Sequence, residues 1–161
     1  MVKPPIPTRL REFAGEATLD DDADDEQVVV TVTLRCPRCG GMKFELHWRH
    51  LLQSGRTIET SPVWIGCGGC RYHALLFDDA TDGLNGFFDN DAAVQIPQCT
   101  VVPWKGAREP TYGVQVVIQY DIDPVQLDAN GQLIPDAYDW LSIVAVWSDG
   151  SVDDVIDFET A

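Results

Sequence analysis

Apolar and polar residues alternate with a period of two over much of the chain, and that rhythm predicts strands. Val28 to Leu34 is a run of β-branched residues that fits a pleated sheet, and it leads straight into Cys36. Met42, Phe44, Leu46 and Trp48 then alternate with Lys43, Glu45 and His47, which predicts a half-buried strand; Ser54-Gly55 predicts the reversal after it. Val63, Ile65 and Cys67 share one face of the returning strand, and Tyr72 to Phe77 leads out on another. The clearest alternation comes later, where Val114, Val116, Ile118, Tyr120 and Ile122 are interleaved with Gln115, Gln119 and Asp121. Trp140 to Trp147 is apolar almost throughout and short, which fits a central strand. Val152 to Phe158 fits an edge strand. Two stretches carry mixed signals: Val94 to Val102 is interrupted by Pro97, and the hairpin dipeptide Asn130-Gly131 is followed by Pro135.

Where the alternation fails, the chain divides. Residues 1–27 predict an arm: prolines at 4, 5 and 7, then Leu10, Phe13, Ala14 and Ala17 at helix-like spacing, then the acidic run Asp20 to Glu26, whose like charges favour an extended chain. Residues 28–77 form one group of strands. Residues 78–91, with Asp82-Gly83 and Asn85-Gly86, predict a linker loop, and residues 92–161 a small antiparallel β domain. The expectation is a mainly β protein. Its 161 residues are 45% hydrophobic, enough to build a core, and the longest apolar runs, such as Ile143 to Trp147, are far short of the roughly 20 residues that cross a bilayer. Prolines occupy the place of a leader's apolar segment, so no signal peptide is expected, and a reducing compartment follows: the cytoplasm, or the interior of a viral particle.

Charge sharpens the division. The net charge is −15, but residues 35 to 73 carry +4 and the remainder −19. Arg35, Arg38, Lys43, Arg49, Arg56 and Arg71 supply that local excess, and all three histidines, His47, His50 and His73, lie in the same interval.

The chemistry is concentrated there too. Cys36-Pro37-Arg38-Cys39 and Cys67-Gly68-Gly69-Cys70 are two CxxC pairs with 27 residues between them. A two-residue gap lets one tight turn present both sulfurs to one ion, and four thiolates suit the tetrahedral, soft-ligand preference of Zn²⁺. The flanking glycines free backbone N–H groups to point at the sulfurs. The spacer is long, but loop closure grows only logarithmically: stretching it from about 20 residues costs roughly 0.3 kcal/mol. Structural zinc supplies on the order of 10 kcal/mol. A rubredoxin-like iron site would use the same four sulfurs. On these residues, 28–77 resembles a zinc ribbon, in which each CxxC forms a knuckle at the tip of a β-hairpin. The resemblance implies Cys36, Cys39, Cys67 and Cys70 as ligands to one structural Zn²⁺, and a zinc ribbon followed by a small antiparallel β domain.

Cys99 stands alone and reads as a buried small hydrophobe, and the histidines as strand residues more than as ligands. Asp121, Asp123, Asp128 and Asn130 hint at a calcium loop, but the EF-hand spacing fails. A four-cysteine site is closed to water, and no nucleophile elbow, zinc-protease motif, phosphate loop or dinucleotide fingerprint occurs. The expectation is therefore a non-enzymatic assembly protein, a zinc-stabilised protein-interaction module such as a viral structural component. A homo-oligomer is plausible by docking of the basic segment on the acidic remainder. The alternatives are nucleic-acid binding through the six basic residues, or mimicry of nucleic acid by the acidic parts.

Overall fold

The computed structural model describes residues 4–20, 27–53, 56–78, 82, 100–121 and 127–159. Among them the regular elements are a 3-10 helix, Thr8–Phe13, and nine strands: β1 Ala14–Leu19, β2 Gln27–Leu34, β3 Phe44–Gln53, β4 Arg56–Cys67, β5 His73–Phe77, β6 Thr100–Pro103, β7 Gly113–Asp121, β8 Trp140–Val146 and β9 Val152–Glu159. They form two antiparallel sheets, one of five strands in the order β1-β2-β7-β8-β9 and one of four in the order β5-β4-β3-β6. The protein is mainly β, as its alternation predicts.

Register follows the apolar pattern. Val30 lies opposite Ile118 and Val32 opposite Val116. All four are fully buried, each contributing about 1.5–3 kcal/mol by leaving water. The unbroken apolar run of β8 has a local cause: a bulge between Ile143 and Val144 turns three consecutive residues, Ile143, Val144 and Ala145, into the interior. In β4 a second irregularity, opposite Trp48 and Arg49, accommodates Pro62, which has no N–H to give to a ladder.

Two expectations change. The arm does not stay extended: Leu10 and Phe13 are buried in the common core, and Ala14 and Ala17 lie on β1 instead of a helix. Phe13 explains it. Its ring needs burial, and once it is seated its carbonyl accepts the Arg35 N–H (2.7 Å), which delivers Ala14 to Leu34 as the first pair of the β1–β2 ladder. Gly15 permits the close approach, since a Cβ there would lie 2.8 Å from the Thr33 carbonyl oxygen. The acidic residues 21–26 lie outside the described residues.

The second change concerns the first CxxC. It does not cap a hairpin, because β2 and β3 belong to different sheets; the turn carries the chain from one sheet to the other. The second CxxC does join sheet neighbours, β4 and β5. Each sheet takes strands from both sides of the 78–91 segment, most of which is outside the described residues: β2 pairs with β7, and β6 with β3.

The sheets share one core and are stitched where β3 begins. Phe44 and Tyr112 exchange backbone hydrogen bonds at 2.7 and 2.9 Å, and the Leu46 N–H donates to the Tyr112 hydroxyl (2.8 Å). Burial raises the Tyr112 phenol to about 12, so it stays neutral. Tyr112→Phe keeps the ring against Trp104 and Trp147 but orphans the buried Leu46 N–H. We expect a loss of about 1–3 kcal/mol in urea denaturation, and a loss under 0.5 kcal/mol would show that this hydrogen bond is not a stitch.

Candidate metal centre

The two CxxC turns have the same backbone. In the first, the Cys36 N–H donates to the Gly41 carbonyl (2.8 Å) and the Gly40 N–H to the Cys36 carbonyl (3.0 Å). In the second, Cys67 donates to Tyr72 (2.7 Å) and Arg71 to Cys67 (3.1 Å). Both turns close through a left-handed residue just after the second cysteine, Gly40 at φ 74° and Arg71 at φ 65°. In this conformation backbone N–H groups face the sulfurs: Gly41 donates to Cys39 Sγ (3.3 Å) and Gly69 to Cys67 Sγ (3.4 Å).

The turns face each other crosswise. Cys36 Sγ is 3.5 Å from Cys70 Sγ, Cys39 Sγ is 3.5 Å from Cys67 Sγ, and all four sulfurs lie within 4.8 Å of one another. Metal–sulfur bonds of about 2.3 Å put tetrahedral sulfurs about 3.8 Å apart, so the cluster matches a four-sulfur metal site. Cys36 and Cys67 are buried, and Cys39 and Cys70 are exposed. Electrostatics agree with geometry. The Cys70 and Gly69 amides pull the Cys67 thiol down to about 6 despite desolvation. At Cys70 the Tyr72 amide also lowers the pKa, but burial and the three neighbouring sulfurs outweigh it and push the thiol up to about 11. A cation bound among the sulfurs would displace the protons that crowding makes them share. Cys36, Cys39, Cys67 and Cys70 can thus hold one metal ion.

Packing holds the turns in place. A Cβ on Gly68 would lie 2.5 Å from Thr111 Cγ2 and 3.2 Å from the Lys43 carbonyl, so only glycine lets the second turn sit against the segment entering β7. Phe13 stacks on Tyr72 at 5.8 Å and meets Phe44 edge-on at 6.3 Å, while the Arg38 guanidinium covers the other turn's Tyr72 ring at 4.4 Å. The Tyr72 hydroxyl donates to Glu12 (3.0 Å). Of these supports only the CxxC glycines were legible in the sequence; Phe13 lies 23 residues before Cys36 and joins the site through the fold.

The other candidates scatter. Arg35 donates to the Gly40 carbonyl and Arg38 covers Tyr72, so two of the six basic residues serve the turns. Lys43 is exposed beside the first turn and Arg71 beside the second, while the side chains of Arg49, His50 and Arg56 lie outside the described residues. His47 contacts Glu45 (3.1 Å), His73 Nδ1 donates to the Arg71 carbonyl (3.3 Å), and neither joins the sulfurs. Asp128 accepts from the Asn130 and Gln132 amides (2.8 and 3.0 Å), which makes its loop a self-bonded turn; Asp123 and Cys99 lie outside the described residues. Three carboxylates near the C-terminal end are engaged locally: Asp149 by Ser151 (2.8 Å), Asp153 by Trp147 and Arg108 (2.9 and 3.0 Å), Asp157 by Ser142 (2.5 Å).

No protein family, curated protein or solved structure matches the chain. Among the described helices, none is long and apolar enough to cross a membrane.

Two measurements test the centre. Gly68→Ala, which forces the second turn off Thr111, is expected to weaken metal affinity by about 10–100-fold in a competition with a chromophoric chelator; unchanged affinity would contradict the packing argument. The depressed Cys67 pKa stabilises the ionised, metal-competent form above about 6, and that contribution is lost as pH falls from the free-thiol value of 9.0 through about 6. A bound ion lowers thiol pKa values further, so release on acid titration is expected below pH 6.

Proposed function

We propose that the chain is a zinc-stabilised, non-enzymatic β scaffold that works by binding another protein within an assembly. The observation that carries this reading is the convergence of four cysteine sulfurs, two buried and two exposed, at the crossover between the sheets. A tetrathiolate leaves no vacant position for water or substrate, so its ion is a structural clamp and not a Lewis acid. Zinc fits an all-sulfur, redox-inert clamp best; an iron centre on the same ligands would be coloured and redox-active.

The face beside the clamp supports the binding role. Arg38, Lys43 and the half-exposed Met42 (52%) crowd the first turn, a basic and apolar patch on a chain whose net charge is −15. Such a patch suits an acidic protein surface, and the chain's own acidic regions make a second copy one such surface. Nucleic acid suits it less, because the field of a chain with net charge −15 repels a polyanion.

Metal analysis and native mass spectrometry of the protein as isolated test both parts. We expect one zinc per chain and a companion chain or copy, released by raised salt and weakened at least about tenfold by the pair Arg38→Glu and Lys43→Glu. Chelation should lower the melting temperature by well over about 10 °C, given a structural-zinc contribution on the order of 10 kcal/mol. A protein that carries no ion, or whose melting is indifferent to chelation, would end the scaffold reading.

A further inference from the structure

The outer face of the four-stranded sheet carries a cleft of about 680 Å³ beside the second turn, lined among others by Trp64, Gly66, Arg71, His73 and the pair His47 and Glu45. Strand register builds it. His47 lies opposite Trp64, and Gly66 lies between Glu45 on β3 and His73 on β5, so the missing side chain of Gly66 leaves a depression between two polar walls with an indole at one end.

Neither backbone conformation nor packing demands that glycine. Its φ is not in the left-handed region, and a Cβ would meet only the Glu45 carbonyl at 3.8 Å and His73 Cβ at 3.9 Å, ordinary contacts. A glycine inside a strand sacrifices stability, so its presence where a side chain would fit keeps space open. Arg71 makes the same point from the rim. The first turn places Gly40 in the left-handed position, the residue that adopts it without strain, whereas the second places arginine there, in a segment that already has three glycines at 66, 68 and 69. Among the described residues no carboxylate pairs with its guanidinium. Two positions therefore depart from the locally stable choice, and both departures open or charge the same cleft.

We infer that this cleft is a binding site for a small aromatic monocarboxylate. A guanidinium fork matches a carboxylate in two parallel hydrogen bonds, and the Trp64 indole offers a planar ring a face to stack on. The His73 ring is oriented by its bond to the Arg71 carbonyl, and His47 by Glu45, which also disfavours a second negative charge. One fixed cation on a chain of net charge −15 suits a monoanion better than a phosphate dianion. The volume is that of a small-molecule site. This site is independent of the scaffold role: it would stand if the scaffold had no partner, and fall without disturbing the metal clamp.

The test uses the full chain with its metal, titrated with 2-naphthoate, its neutral analogue 2-naphthalenemethanol, 2-naphthyl phosphate and a short peptide ending in tryptophan, followed by calorimetry and by ligand-observed NMR. Binding of 2-naphthoate at about 1 mM or tighter is expected, at least tenfold tighter than the alcohol or the phosphate. Gly66→Val, which fills the depression, and Arg71→Gly, which removes the charge, should each weaken it tenfold or more. Both place a residue suited to its backbone, so the melting temperature is expected to hold or rise, and lost binding cannot be ascribed to unfolding. No binding of 2-naphthoate, equal binding of the alcohol or phosphate, or affinity untouched by both variants would overturn the proposal. Binding of the peptide but not of 2-naphthoate would overturn it in favour of a partner's chain end.

Discussion

Four sulfurs within 4.8 Å of one another set the terms for the rest of the molecule. Two thiolates 3.5 Å apart repel by about 5 kcal/mol at an effective dielectric constant of 20, so the cluster exists only with shared protons or a cation in its midst. Its position makes that local requirement global. One turn passes the chain from the five-stranded to the four-stranded sheet, and the other joins two strands of the latter. An ion between the turns would therefore fix how β2 enters one sheet relative to how β4 and β5 lie in the other, adding to the Phe44–Tyr112 hydrogen bonds that stitch the sheets.

Hydrophobic packing reinforces that relation from the inside. The Arg38, Tyr72, Phe13 and Phe44 side chains form a continuous stack that begins on one turn, crosses the other and ends in the core. Trp104, Tyr112 and Trp147 form a second aromatic group between the sheets, with Trp104 and Trp147 stacked at 5.8 Å. The N-terminal helix is thus a wedge between elements from both sheets. Removing it would uncover Phe44 and loosen Tyr72, which is why residues with tether-like composition at their edges carry core residues in their middle.

The sequence was informative wherever a single period or a short spacing decided the outcome. Alternation and apolar runs placed β2, β5, β7, β8 and β9 to within a few residues and found only part of β3 and β4, which extend to Gln53 and start at Arg56, and two CxxC spacings named the four cysteines that the fold brings together. It was uninformative about which strands pair. A buried strand such as β2 offers the same valines to any apolar neighbour, and only the fit of Val30 and Val32 against Ile118 and Val116 assigns it to β7, some 80 residues away. Helix-like spacing misled at Ala14 and Ala17 because a register shift between them in the β1–β2 ladder lets residues three apart both pack on the core from a strand; the bond from Arg35 to Phe13, a tertiary contact, decides for that strand. The cleft was hidden for a similar reason. Trp64, Gly66 and His73 are unremarkable in order along the chain and meet only through the β3–β4–β5 register.

The centre has a polarity that follows from its symmetry. Each turn buries its first cysteine and exposes its second, so the ion would rest on two sulfurs embedded in the core and two at the surface. Cys36 and Cys67 sit at the ends of the segments whose neighbours, Leu34 and Ile65, are core residues, and they cannot move without moving both sheets. Cys39 and Cys70 end turns that can open into solvent. Protons and competing ligands would therefore reach a bound ion through Cys39 and Cys70, while the link between the sheets would run through Cys36 and Cys67. A clamp built this way would separate the exchange of its ion from the strength of its grip.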